Sequence, residues 1–145
     1  MRDVSIENYL DSLASRNSTP GGGAVAAITG AQLAALITMV ARFTPLDAQN
    51  KQTIQSIIDR AESARSEFLS LGEQDVTAFK AVMAAYRIPK DAALKESTMQ
   101  HALKAAATVP LLILELSQSL AKDIEDLAQF GNKNLITDIG IAALL

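Results

Sequence analysis

The chain has no cysteine, no tryptophan and a single histidine, and only 4% of its residues are aromatic. Without cysteine there is no disulfide, no thiolate nucleophile and no sulfur-ligated metal site. One histidine does not build a zinc centre, and no acidic loop resembles a calcium ligand set. Positive charge is also scarce. Thirteen Lys and Arg against sixteen Asp and Glu give a net charge of −3 and a pI near 5.1. That leaves no electrostatic footprint for a nucleic acid partner. The shortage of aromatic residues argues against a β-sandwich, whose strands draw on aromatic and β-branched side chains. Met1-Arg2-Asp3 leads into a capped helix rather than a signal sequence, so a cytoplasmic protein is expected.

What the chain does have is alanine and leucine, within a 49% hydrophobic composition. Its 145 residues suit one domain, 1–145, with a core of its own. The expected fold is all-α: a helical bundle around a buried central helix of small residues, assembled as a dimer. The central stretch is Ser18-Thr19-Pro20-Gly21-Gly22-Gly23 and the helix that follows it to Ala41. No residue between Arg16 and Arg42 carries a charge. About 20 apolar residues span a bilayer, but the glycines, alanines, threonines and Gln32 make this run small rather than greasy, and no aromatic belt brackets it. A membrane partner is therefore not expected.

Gly22, Ala26, Gly30, Ala34 and Thr38 recur at helical spacing, with Gly23, Ala27, Ala31 and Ala35 beside them. Such rows let another backbone approach closely. Glycine inside a helix costs about 1 kcal/mol relative to alanine, so Gly30 needs a packing reason. With Val25, Ile28, Leu33, Leu36, Ile37 and Val40 around the rest, the helix is apolar on every side and expects cover on every side, part of it from a second copy. The glycine turn has two readings. In the first, Pro20 sets the entry angle and Ser18 or Thr19 caps the helix. In the second, glycine-exposed N–H groups and the positive dipole end cradle an anion. Gly21-x-Gly23-x-x-Ala26 is not a dinucleotide fingerprint, because a helix rather than a strand precedes it.

Ahead of the turn, Ser5 is the expected N-cap of a first helix running to about Ser15. Val4 and Tyr9 form its staple, and Ile6, Tyr9, Leu10 and Leu13 its buried face. After Pro45 an apolar stripe runs from Asp47 to Tyr86 as one long helix or two collinear ones, with a kink at Gly72 as an option. Asp75 falls near the centre of that stripe, between Phe68, Phe79 and Val82. Two readings of it stand level. It pairs with a lysine or arginine of another helix, or it is a functional carboxylate whose unpartnered burial raises its pKa. Asp91 is the expected start of the next helix, which holds the lone His101. Pro110 either starts a further helix or kinks this one. Glu115, Gln118, Lys122 and Glu125 read as a solvated stripe. Gly131 is expected as a left-handed cap, and Thr137 with Asp138 as the opening of a last helix, 139–145. The alternative for Asn132 and Asp138 is that they anchor a ligand.

Taken together, Ser18-x-Pro20-Gly21-Gly22-Gly23-Ala24-Val25-Ala26-Ala27, Asp75-x-x-x-Phe79, Ala102-Leu103-Lys104-x-Ala106-x-x-Val109-Pro110-Leu111 and Gly131-Asn132-x-Asn134-x-x-x-Asp138-x-Gly140-x-Ala142 resemble the cyclodeaminase/cyclohydrolase family. This is the C-terminal domain of formiminotransferase-cyclodeaminase and its stand-alone methenyltetrahydrofolate cyclohydrolase relatives. The resemblance implies an all-helical homodimer with a folate site near the subunit interface. It also implies one of two reactions: cyclisation of 5-formiminotetrahydrofolate with loss of ammonia, or hydrolysis of 5,10-methenyltetrahydrofolate to 10-formyltetrahydrofolate. Neither requires a metal or other cofactor. Carried onto this chain, Asp75 becomes the acid/base, with Asp138 the second catalytic position. Ser18, Pro20, Gly21, Gly22, Gly23, Phe79, Asn132 and Asn134 become the substrate-binding positions. Family members continue into further helices beyond the region matched here. The other class of function consistent with these motifs is a non-catalytic homodimer that binds folate or keeps only the scaffold.

Overall fold

The computed structural model describes residues 3–90 and 92–145. Among them there are helices and no strands: α1 (Ile6–Ala14), α2 (Gly22–Arg42), α3 (Lys51–Tyr86), α4 (Lys95–Ser119), α5 (Ala121–Phe130) and α6 (Ile136–Leu144), with a 3₁₀ turn at Lys133–Leu135 before the last. Residues 3–27 and 69–114 belong to one compact unit, and 28–68 and 115–145 to a second. The readings placed on Met1, Arg2 and Asp91 lie outside the described residues.

In the first unit, Ser5 caps α1 as expected, its hydroxyl accepting from the Asn8 N–H at 3.1 Å. The helix buries less than its pattern suggested. None of its residues is fully buried, and Ile6 and Leu10 face solvent. Val82 and Ala85 of α3 pack with Ala102 of α4, flanked by Met99 and Ala106. The C-terminal end of α3 leaves carbonyls without helical partners, and the Lys95 ammonium donates to that of Tyr86 and to that of Ile88, two residues past the helix. A cation there also suits the helix dipole. α4 starts at Lys95 and passes through Pro110 without ending. Pro110 therefore does not start a further helix.

The second unit buries Ile37, Val40 and Ala41 of α2, Ile54, Ile57, Ala61 and Phe68 of α3, Leu120 and Leu127 of α5, and Ile139 and Ala142 of α6. Fully burying each large side chain is worth about 1.5–3 kcal/mol. Gly30 finds its packing reason here. A Cβ at that position would lie 2.5 Å from the Phe68 ring, so the glycine makes room for a buried phenylalanine of the same unit rather than for an approaching backbone. α3 is one continuous helix, opened by an Asp47–Asn50 exchange: Asp47 Oδ1 accepts from the Asn50 N–H, and Asn50 Oδ1 accepts from the Asp47 N–H.

Two expectations at the end of the chain are corrected. Gly131 follows α5 with φ −69° and ψ 177°, an extended cap rather than a left-handed one. Glycine is needed there for space, since a Cβ would meet the Leu127 carbonyl oxygen at 2.3 Å. The carbonyls of Ala128 and Gln129 are closed by the Lys133 ammonium at 3.0 and 2.7 Å. The last helix begins at Ile136, so Thr137 and Asp138 sit inside its first turn and do not cap it. α5 is separated from α4 at Leu120 rather than continuing to Gly131 from Pro110.

α2 is not covered all round. Ala24, Ala27, Ala31, Ala34 and Ile37 are buried, while Val25, Ala26, Gln32 and Ala35 form an exposed strip. By length and composition α2 and the stretch Lys95–Phe130 are each apolar enough to cross a membrane. More than half of the α2 window is buried within the protein, as in the core helix of a bundle, whereas Leu103, Leu111 and Leu114 of α4 are exposed.

Candidate active site

The glycine turn and Asp75 meet in the first unit. An ideal Cβ on Gly23 would lie 2.0 Å from Asp75 Oδ1 and 2.4 Å from its Cγ. The carboxylate thus occupies the space that any side chain at 23 would fill. α2 starts at Gly22, with the Gly21 carbonyl accepting from the Val25 N–H at 3.1 Å. Its first N–H groups therefore lack helical partners, and the dipole there favours negative charge. The anion brought to this helix end is the protein's own carboxylate.

This settles several details of the turn. Ser18 and Thr19 make no capping bond to α2 among the described residues, so the expected side-chain cap is absent. Pro20 follows a cis peptide bond and stands two residues before the first helical position, not at it. Gly21 and Gly22 have open space where a Cβ would go. Asp75 is half-buried rather than sealed in the core, and Phe79, one turn on, is exposed. Among the described residues the carboxylate has no hydrogen-bond or ion-pair partner, so no lysine or arginine of that set pairs with it.

The remaining predicted site residues lie in the second unit. The Asn132 side chain donates from Nδ2 to the Phe43 carbonyl at 2.8 Å, and its Oδ1 accepts from the Asn134 N–H at 3.0 Å. Its backbone N–H donates to the buried Thr44 hydroxyl at 3.1 Å. Asn132 therefore fastens the loop after α5 to the C-terminal end of α2. The Asn134 side chain is exposed, and Asp138 is half-buried on α6.

The fully buried acid among the described residues is one that sequence reasoning passed over. Asp123 on α5 is 1% exposed and accepts a two-pronged bond from Arg60 of α3, Nη2 to Oδ1 at 2.5 Å and Nε to Oδ2 at 3.2 Å. The hydrogen bond to Asp123 is the main cause holding the Arg60 guanidinium above its ordinary pKa. The signal was present: Leu120, Asp123 and Leu127 share one helical face, the same pattern that singled out Asp75. The expected solvated stripe of Glu115, Gln118, Lys122 and Glu125 is exposed, one residue away from the buried aspartate.

The resemblance implied an all-helical fold of the cyclodeaminase/cyclohydrolase family, and comparison with known proteins agrees. The sequence model of the formiminotransferase-cyclodeaminase family matches residues 5–145, and the chain belongs to that family. It is 37% identical to the methenyltetrahydrofolate cyclohydrolase of Methylorubrum extorquens, over 97% of this chain and 71% of that protein. It is 31% identical to the formimidoyltransferase-cyclodeaminase of Rattus norvegicus, over 97% of this chain but only 27% of that one. The crystal structure of formiminotetrahydrofolate cyclodeaminase from Thermotoga maritima superposes with a TM-score of 0.88 at 37% identity, covering 98% of this chain and 70% of that one.

Proposed function

We propose that this protein is an enzyme of folate one-carbon metabolism that hydrolyses 5,10-methenyltetrahydrofolate to 10-formyltetrahydrofolate. The observation that carries the reading is the Asp75 carboxylate lodged against Gly23 with no partner among the described residues, in a chain that shares its family and 37% of its residues with a methenyltetrahydrofolate cyclohydrolase. In this reaction water adds to the carbon bridging N5 and N10. The carboxylate takes a proton from that water as the C–O bond forms, then returns one to N5 as the C–N5 bond breaks. A group that both accepts and donates must lie within hydrogen-bond reach of the reacting atoms and must not be tied up in an ion pair. The glycine turn, with Ser18, Pro20 and Phe79, holds the substrate beside it. The reaction calls on no metal or other cofactor, and its setting is the cytoplasm.

A second reaction is supported by the solved relative, a cyclodeaminase of equal identity. There N10 closes on the formimino carbon of 5-formiminotetrahydrofolate, and the same acid gives a proton to the departing ammonia. Release of ammonia from that substrate separates the two readings. We further propose a homodimer, supported by the exposed Val25-Ala26-Gln32-Ala35 strip of α2, which is too apolar and small to gain much from water.

The test is spectroscopic. Purified protein accelerates the loss of the near-ultraviolet absorbance of 5,10-methenyltetrahydrofolate, and Asp75→Asn lowers the rate by about 10²-fold or more while keeping the wild-type circular dichroism. Wild-type protein that shows no acceleration, with or without a folate binding signal, leaves the non-catalytic homodimer as the function. A variant with undiminished turnover removes Asp75 from the mechanism.

A further inference from the structure

Tyr9 ends in a hydroxyl that is shut off from solvent and has no hydrogen-bond partner among the described residues. Buried polar atoms in folded proteins are nearly always paired, because one left alone has given up its bonds to water for nothing. The placement is all the more unusual for its helix. No residue of α1 is fully buried, and Ile6 and Leu10 face solvent, yet this one polar atom is enclosed. Burial also holds the Tyr9 pKa above its ordinary value, so the phenol keeps its proton at neutral pH and remains a donor.

Tyr9 lines a cavity of about 250 Å³ that lies wholly within the first unit. The turn before α2 contributes Thr19 and Pro20 to the lining, and α3 contributes Val76 and Lys80. Both of these walls lead directly into the candidate active site. Val76 is bonded to Asp75, and Pro20 stands three residues before Gly23, against which that carboxylate is lodged. Lys80 carries the charge of the lining, but it is exposed, and its ammonium stays hydrated. What remains inside is uncharged: the Pro20 ring and the Val76 side chain beside a hydroxyl with a hydrogen to give. Pockets that enclose a drug-sized molecule run to about 300–1,000 Å³, so this one accepts a single uncharged ring rather than a whole folate.

We infer that the Tyr9 hydroxyl is a further substrate-binding group of the proposed reaction, donating a hydrogen bond to a ring heteroatom other than N5 or N10 while the bridging carbon lies at Asp75. The inference rests on the folate reading above and adds to it a residue that neither the motifs nor the comparisons assign. An atom outside the reacting bonds is held equally well before and during the reaction. The contact therefore sets KM and leaves kcat alone.

The test is Tyr9→Phe, read by steady-state turnover of 5,10-methenyltetrahydrofolate and by thermal unfolding of the free protein. Losing one neutral hydrogen bond raises KM by about three- to tenfold, with kcat unchanged. The melting temperature of the free variant stays level or rises, because the hydroxyl it lacks was buried without a partner. Stability and affinity thus move in opposite directions, which a tyrosine serving only the packing of α1 would not produce. A KM that stays at the wild-type value overturns the contact and leaves the enzyme reading in place. A lower melting temperature shows that the hydroxyl is already bonded in the free protein, and overturns the inference as well. Wild-type protein that does not turn the compound over removes the folate reading and this contact with it.

Discussion

Replacing Gly23 with alanine asks whether Asp75 works from the place where it stands. The added Cβ falls 2.0 Å from Asp75 Oδ1 and 2.7 Å from Oδ2, whereas ordinary contact begins at 3.4 Å, so the nearer oxygen must retreat by about 1.4 Å. Asp75 is half-buried and has no partner among the described residues to hold it, so it yields rather than the helix. A displacement of 1 Å at a reacting group costs about 10²-fold in rate, which corresponds to about 2.7 kcal/mol of transition-state stabilisation. Stability moves the other way or not at all, since alanine is preferred to glycine in a helix by about 0.5–1 kcal/mol. The expected result is a loss of about a hundredfold in kcat/KM with a melting temperature at or above that of the wild type. Gly140→Ala is the control, a helical glycine with nothing within 4 Å of its would-be Cβ. It gains stability and changes no contact of Asp75. Wild-type turnover by Gly23→Ala refutes the reasoning, because a carboxylate that can be pushed aside without consequence is not performing proton transfer.

Three further outcomes follow from the packing. Gly30→Ala places a methyl 2.5 Å from the buried Phe68 ring, and overpacking of this kind costs about 1–3 kcal/mol; a melting temperature equal to the wild type contradicts the assigned contact. Arg60→Met leaves Asp123 buried without its partner, at about 3 kcal/mol, the low end for a buried pair because Arg60 is itself half exposed. Adding Asp123→Leu recovers most of that loss in urea unfolding, and a double variant no better than the single one shows that the pair is not the source of the cost. Ala26→Arg puts a charge on the exposed strip of α2 and, if the proposed homodimer forms through that strip, leaves only monomer by light scattering; an unchanged dimer mass rules the strip out as the contact.

The helices were readable because their signals are local. Ser5 with Asn8, the prolines and glycines, and the spacing of alanine and leucine each act within one or two turns. What escaped was whatever depends on a partner distant in sequence. Gly30 advertised a close approach, but nothing in its own helix says that the visitor is the Phe68 ring. Gly131 looked like a left-handed cap because that is glycine's common use after a helix, yet its reason is a carbonyl 2.3 Å from the absent Cβ. The break at Leu120 carries no proline or glycine and left no mark in the pattern. Lys95 and Lys133 close helix ends through long, flexible side chains whose reach a periodicity does not encode. Of the candidate site, the resemblance gave Asp75 and the glycine turn their separate roles, while period and spacing did not set one against the other; their approach is seen only in the fold.

Asp75 and Asp123 show how a pattern that identifies inward-facing acids must be divided before it speaks of function. Both fall among apolar residues at helical spacing, and a carboxylate removed from water is costly unless compensated. Asp123 meets the cost in the structural way: it is 1% exposed, and both of its oxygens are taken by one guanidinium. That arrangement fixes α5 to α3 and leaves no lone pair facing a reactant. Asp75 is compensated differently. It keeps contact with solvent, leans on a helix end whose dipole favours negative charge, and commits its oxygens to no donor among the described residues. A proton carrier needs that freedom, since an oxygen already saturated by an arginine neither takes a proton easily nor returns one. Depth of burial would have chosen Asp123; availability of the oxygens chooses Asp75. Tying up those oxygens from a new direction is therefore as informative as removing them. Ala78→Arg would not serve, because that residue lines the opposite groove with Thr77 and Ala81, whereas Phe79→Arg stands one turn from Asp75 on the same side of α3. An arginine there pairs with the carboxylate and leaves the fold intact because position 79 is exposed; since Phe79 is also a proposed substrate contact, the quantity read is kcat at saturating substrate, which falls as deeply as in Asp75→Asn. Full activity in Phe79→Arg would mean that the free oxygens are incidental.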